Sequence, residues 1–78
     1  MIDHDGEVPV YKQLAAILRA QIESGELPPG RALPSIRTLS QEHELSDGSV
    51  KKALAILRAD GLIRGVAGRG VFVVPRDG

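Results

Sequence analysis

The chain has 78 residues, 42% of them hydrophobic and 26% charged, with ten cationic and ten anionic side chains, no cysteine and no tryptophan. Disulfides and thiolate metal sites are excluded, and no apolar run approaches the roughly 20 residues that cross a bilayer. One small domain is expected, burying about 60% of its unfolded surface and therefore modestly stable unless a partner chain adds to it.

With one tyrosine and one phenylalanine, its core must be aliphatic. The acidic start MIDHDGE is unlike a signal peptide, so the expected location is the cytoplasm. Charge is unevenly spread. Residues 1–30 carry a net −3 and residues 31–78 a net +3, with positive charge gathering from Gly48 onward.

In chain order, residues 1–8 read as a flexible or loosely docked arm, polar and without period. The spacing of Tyr11, Leu14, Ala15, Ile17, Leu18 and Ile22 predicts a scaffold helix over 10–24, preceded by Pro9 and stopped by Gly25. GELPPGRALPS cannot be helical, and Arg31 to Leu33 reads as a short edge strand. Ser35 then caps a short helix with Ile36 and Leu39 facing inward. EHELS joins it to the next, with Leu45 as a plug.

A second short helix runs over about 46–60. Val50, Ala53, Leu54 and Leu57 fall at i, i+3, i+4 and i+7 and make one apolar stripe. Ser46 is placed as its N-cap and Gly61 suits the left-handed position after its end. Its outer side is small or cationic, with Gly48, Lys52 and Ala55 opposite the stripe and Lys51 on a flank. Leu62 to Val66 and Val71 to Val74 are β-branched runs around a glycine-rich tip, which predicts a hairpin. A polar tail, 76–78, closes the chain.

Two short helices joined by a tight turn and followed by a hairpin make a winged helix-turn-helix: mainly α, three helices, a two-stranded wing and a short extra strand near 31–33. The domain proper spans 9–75. His4 and His43 stand alone in different elements, so no metal site is expected. No Ser, His and acid are arranged as a triad, and neither catalysis nor a cofactor is expected.

The segments SGELPPG, LPSIRTLS, SDGSVKKAL and LIRGVAGRGVFV, following Tyr11 in that order, resemble the N-terminal DNA-binding domain of GntR-type bacterial transcriptional regulators. Any one would be weak; their order is specific. The resemblance implies that Arg37 reaches DNA backbone or base, that Lys51 contacts the major groove, and that the wing tip Gly68, Arg69 and Gly70 approaches the minor groove. One position departs: Asp47 stands where the family usually has arginine, with Gly48 behind it. Asp47 either complements the helix dipole or alters base preference.

On these grounds the expected DNA-binding residues are Ser35, Arg37, Ser46, Asp47, Gly48, Ser49, Lys51, Lys52, Gly68, Arg69 and Gly70. Ser35 has two open roles, phosphate contact or cap alone. Arg58 suits the C-terminal dipole of its helix, and Arg64 is undecided between backbone contact and solvent. The expected partner is double-stranded DNA bearing an inverted repeat, bound by a homodimer, with no membrane partner. In such regulators a C-terminal domain binds a small-molecule effector and holds the dimer. Nothing after Val74 could do either, so an effector is expected only if such a domain lies outside this chain. The rival reading is a winged helix serving protein interaction or assembly, favoured by the acidic first third and by Asp47 and disfavoured by the clustering of Lys51, Lys52, Arg64 and Arg69.

Overall fold

The computed structural model describes residues 2–75; the polar tail at 76–78 lies outside them. Helix α1 spans Val10–Ser24, α2 Ile36–His43 and α3 Asp47–Ala59, followed by strands β1 (Ile63–Val66) and β2 (Gly70–Val73). The strands pair antiparallel with Ile63 opposite Val73 and Val66 opposite Gly70. This is a three-helix domain with a two-stranded wing.

Each boundary has a local cause. The Pro9 carbonyl accepts from the Lys12 and Gln13 N–H groups at 3.0 and 3.2 Å and starts α1. Gly25 ends it at φ 87, and the Leu27 N–H returns to the Gln21 carbonyl at 2.9 Å. Helices α2 and α3 open alike. The Ser35 hydroxyl accepts from the Thr38 N–H, and that of Ser46 from the Ser49 N–H, each at 3.1 Å.

Helix α2 runs further than EHELS suggested, because Glu42 and His43 complete its last turn. The stop is Glu44, the one described non-glycine residue with positive φ, at 55°. Its position is held by the burial of Leu45 and by the Leu45 N–H, which donates to the Ser40 carbonyl at 3.0 Å. A side chain in this region costs about 1–2 kcal/mol. Glu44→Gly is therefore expected to stabilise the domain by about 1 kcal/mol, raising the melting temperature by roughly 4–8 °C in a thermal scan.

The segment after α1 lies along β2 but forms a single bridge, Ala32 to Phe72, where a short strand was expected. Its bonds are sound: the Leu33 N–H donates to the Val71 carbonyl at 2.8 Å and the Val73 N–H to the Arg31 carbonyl at 2.9 Å. It cannot lengthen, since Pro28, Pro29 and Pro34 leave few free N–H groups around it.

The core is wholly aliphatic. Leu14, Leu18, Leu39, Val50, Leu57, Ile63 and Val73 are its most enclosed large side chains, while Tyr11 and Phe72 are only half-buried. Helix α3 is central, packing most extensively on α1, and also on α2 and β1. Arg19 of α1 pairs with Asp60 just past α3, an exposed link that adds little. The arm also has partners. Gln13 accepts from the Asp3 N–H and donates to the carbonyls of Asp3 and Val8, and Ile2 packs on the core.

Candidate nucleic-acid interface

The N-termini of α2 and α3 open toward the same side, and the hairpin tip stands beside them. Between these elements lies a cleft of about 580 Å³ whose lining includes Ser35, Arg37, Asp47, Lys51, Arg69 and Gly70. Three cations and one carboxylate therefore meet in one hollow, a local excess of positive charge in a chain with no net charge. Leu33 and Leu54 form part of its floor. The low-dielectric wall strengthens the field of the cations above it.

The tip is held rigidly enough to aim Arg69. The Arg69 N–H donates to the Val66 carbonyl at 3.0 Å, closing a turn whose third position is Gly68 at φ 76. Type II turns need glycine there, because a Cβ is strained at positive φ. Gly70 follows at φ 114. Arg69 thus projects between two glycines, and it also borders a shallower hollow of about 370 Å³ with Arg64, Val66 and Phe72 on another side of the hairpin.

The serines have structural duties, and Lys52 lies elsewhere. Ser46 and Ser35 are engaged as caps, which accounts for their place in the sequence without a ligand. Ser49 supplies the capped N–H and its hydroxyl accepts from that of Ser46 at 3.1 Å. Lys52 does not line the cleft; its ammonium stands 5.5 Å from the centroid of the Tyr11 ring on α1, a cation–π pair. Arg58 reaches β1: a Cβ on Gly65 would lie 3.5 Å from its Nη2. The i, i+4 and i+7 wheel of α3 places Lys52 away from Lys51 but carries no sign of Tyr11, which lies in another helix.

Gly48 occupies an ordinary helical position. A Cβ there would meet only the Ser46 Oγ, at 3.9 Å. Nothing in the domain needs a glycine at this point, and glycine weakens a helix relative to alanine. Gly48→Ala is expected to stabilise the fold by about 0.5–1 kcal/mol, measurable by urea titration.

A third hollow, of about 560 Å³, is bordered by Ile2, His4, Glu42, His43 and Glu44 at the far end of α2. Although both histidines line it, no group of three or more side chains among the described residues is arranged to hold a metal. No described helix is long and apolar enough to cross a membrane.

The sequence model for bacterial regulatory proteins of the gntR family matches residues 10–73, from the first residue of α1 to the last of β2. The chain belongs to the gntR family. Among its relatives, the transcriptional repressor NagR of Bacillus subtilis is 38% identical over 72 residues, covering 92% of this chain and 30% of that protein. The repressor MngR of the mannosyl-D-glycerate transport and metabolism system in Escherichia coli is 38% identical over 68 residues, 87% of this chain and 28% of that one. The chain thus spans under a third of either regulator.

Solved structures agree on the architecture. YtrA of Sulfolobus acidocaldarius, a GntR-family transcription factor, superposes with a TM-score of 0.88 at 36% identity, over 99% of this chain and 81% of that one. The DNA-binding domain of AraR in complex with its operator ORR3 superposes with a TM-score of 0.84 at 27% identity, over 95% and 89% of the two chains. The gntR-family domain described here is therefore a winged helix of the kind found in DNA-binding regulators.

Proposed function

We propose that this gntR-family domain is the operator-binding module of a repressor-type transcriptional regulator acting in the cytoplasm. The start of α3 enters the major groove and the hairpin tip the adjacent minor groove. The observation that carries this reading is the convergence of Arg37, Lys51 and Arg69 on one cleft in a chain of zero net charge. The AraR operator complex supports it by likeness of fold.

The roles divide by position. Arg37, in the first turn of α2, meets phosphate, where the helix N-terminus also favours an anion. Lys51, one turn into α3, reaches base edges, and Arg69 enters the minor groove, whose negative potential attracts arginine. Ser35, which also borders the cleft, can add a phosphate contact through its spare hydroxyl capacity, and Ser49 sits one turn before the Lys52 position on the same helix start. Lys52 contributes chiefly by tying α3 to α1 through Tyr11, so Lys52→Ala weakens binding less than Lys51→Ala. Because net charge is zero, non-specific attraction is weak and two copies are needed. They read half-sites about one helical turn apart on an inverted repeat. Control by a small-molecule effector would require a further domain outside these residues.

The test is selection from random duplex DNA with the wild-type domain, Lys51→Ala and Arg69→Ala. An enriched inverted repeat, weakened by both changes, is the expected result. No enrichment at low salt, even with the domain artificially dimerised, would transfer the weight to a protein-interaction role.

A further inference from the structure

We propose that Asp47 reads a base, accepting a hydrogen bond from the exocyclic amino group of a cytosine in the major groove, so that each half-site carries a C·G pair facing the start of α3. This inference rests on the DNA-binding reading above and assigns part of its specificity.

Asp47 is the first residue of α3, is exposed, and borders the cleft together with Arg37, Lys51 and Arg69. The structural duties open to a carboxylate there are filled by others. Ser46 caps the helix through the Ser49 N–H, and the ion pair among the described residues joins Arg19 to Asp60. The helix dipole favours an acid in the first turn, yet it does not require one that faces the cleft.

Chemistry narrows what such a group can meet. A carboxylate only accepts hydrogen bonds, so phosphate repels it and the acceptors O6 and N7 of guanine do likewise. The N4 amino group of cytosine donates into the major groove and suits it. Adenine also offers an amino donor, but the acceptor N7 beside it opposes a carboxylate. Arg37 takes the backbone and Arg69 the minor groove, both from the same cleft, and Asp47 is left to the major-groove base edges. Gly48 has no side chain, so the neighbouring helix surface is bare and the helix start can approach the groove floor.

The experiment is selection from random duplex DNA with the wild-type domain, Asp47→Asn and Asp47→Arg. Each side chain has its own complement: cytosine for the acid, adenine for asparagine, guanine for arginine. One half-site position is expected to change in that order, with wild-type preference for cytosine there on the order of 10-fold. Affinity for unselected duplex should rise in both variants, because a negative charge at the surface that meets the polyanion is removed. Asp47 is exposed, so both variants should melt close to the wild type. A half-site identical for all three proteins overturns the assignment of Asp47 and leaves DNA binding intact. Absence of any enriched site with the wild type at low salt, even with the domain artificially dimerised, overturns the DNA-binding reading itself.

Discussion

Replacing Leu57 with alanine is expected to lower the melting temperature by about 15–30 °C and to leave the domain largely unfolded at 37 °C. Leu57 is fully enclosed and lies on the stripe of α3 that packs against α1, α2 and β1. Truncating such a side chain loses its transfer free energy and leaves a cavity, together about 3–5 kcal/mol. A domain of this length has on the order of 4–12 kcal/mol of stability in all. No aromatic side chain is available to close over the gap, since Tyr11 and Phe72 are only half-buried. Lys51→Ala, an exposed change on the same helix, should stay within about 0.5 kcal/mol of the wild type. The two melts together separate what holds the fold from what meets the ligand. A Leu57→Ala protein melting within a few degrees of the wild type would show that α3 is not the element on which the others pack.

The largest functional effect is expected from Arg37→Ala combined with Arg69→Ala. These residues stand on different elements and border one cleft, so each change removes a separate charged interaction with the duplex. At about 1.4 kcal/mol apiece the pair lowers affinity roughly 100-fold. A second readout is harder to mimic. The slope of log K against log salt should become shallower by about 1 to 2, one unit for the phosphate that Arg37 neutralises and up to one more for the charge that Arg69 places between the phosphates flanking the minor groove. Weaker binding with an unchanged slope would mean that the two arginines shape the cleft without neutralising phosphate. Both are exposed and neither is paired with an acid among the described residues, so folding should be unaffected.

Much of the architecture is legible in the sequence, for reasons visible in particular residues. Helix α1 keeps the predicted span because Pro9 and Gly25 punctuate a regular apolar period. Helix α3 follows its Val50, Ala53, Leu54, Leu57 stripe from the Ser46 cap to Gly61 at φ 75. The hairpin tip needed its glycines. What escaped prediction has no local signal. The end of α2 rests on Glu44 in a conformation that usually announces itself with glycine. Segment 31–33 has strand-like residues, but the prolines around it reduce its pairing to one bridge.

The interface was legible as a set of candidates and not as an arrangement. Arg37, Asp47, Lys51 and Arg69 could each be nominated from helix starts and glycine spacing, yet only the packing of the hairpin beside α3 brings them to one cleft. Conversely, the lysine pair in SVKKAL reads from the sequence as two candidates for the same ligand, on adjoining parts of the outer side of α3. The structure divides it, sending Lys52 to Tyr11 and leaving Lys51 at the cleft. Long-range side-chain pairs of this kind depend on which helices become neighbours, and the periodicity of a single helix does not carry that information.

The central claim is that the cleft between the starts of α2 and α3 and the hairpin tip is the surface that receives duplex DNA. The most direct measurement is a titration of the isotopically labelled domain with its selected duplex, following every backbone amide by NMR. The predicted shifts cluster at residues 35–37, 47–51 and 68–70, while amides around His4 and His43, at the far end of α2, stay in place. Perturbations centred on the His4 and His43 hollow, or on the acidic arm and α1, would contradict the account and place the ligand on another face.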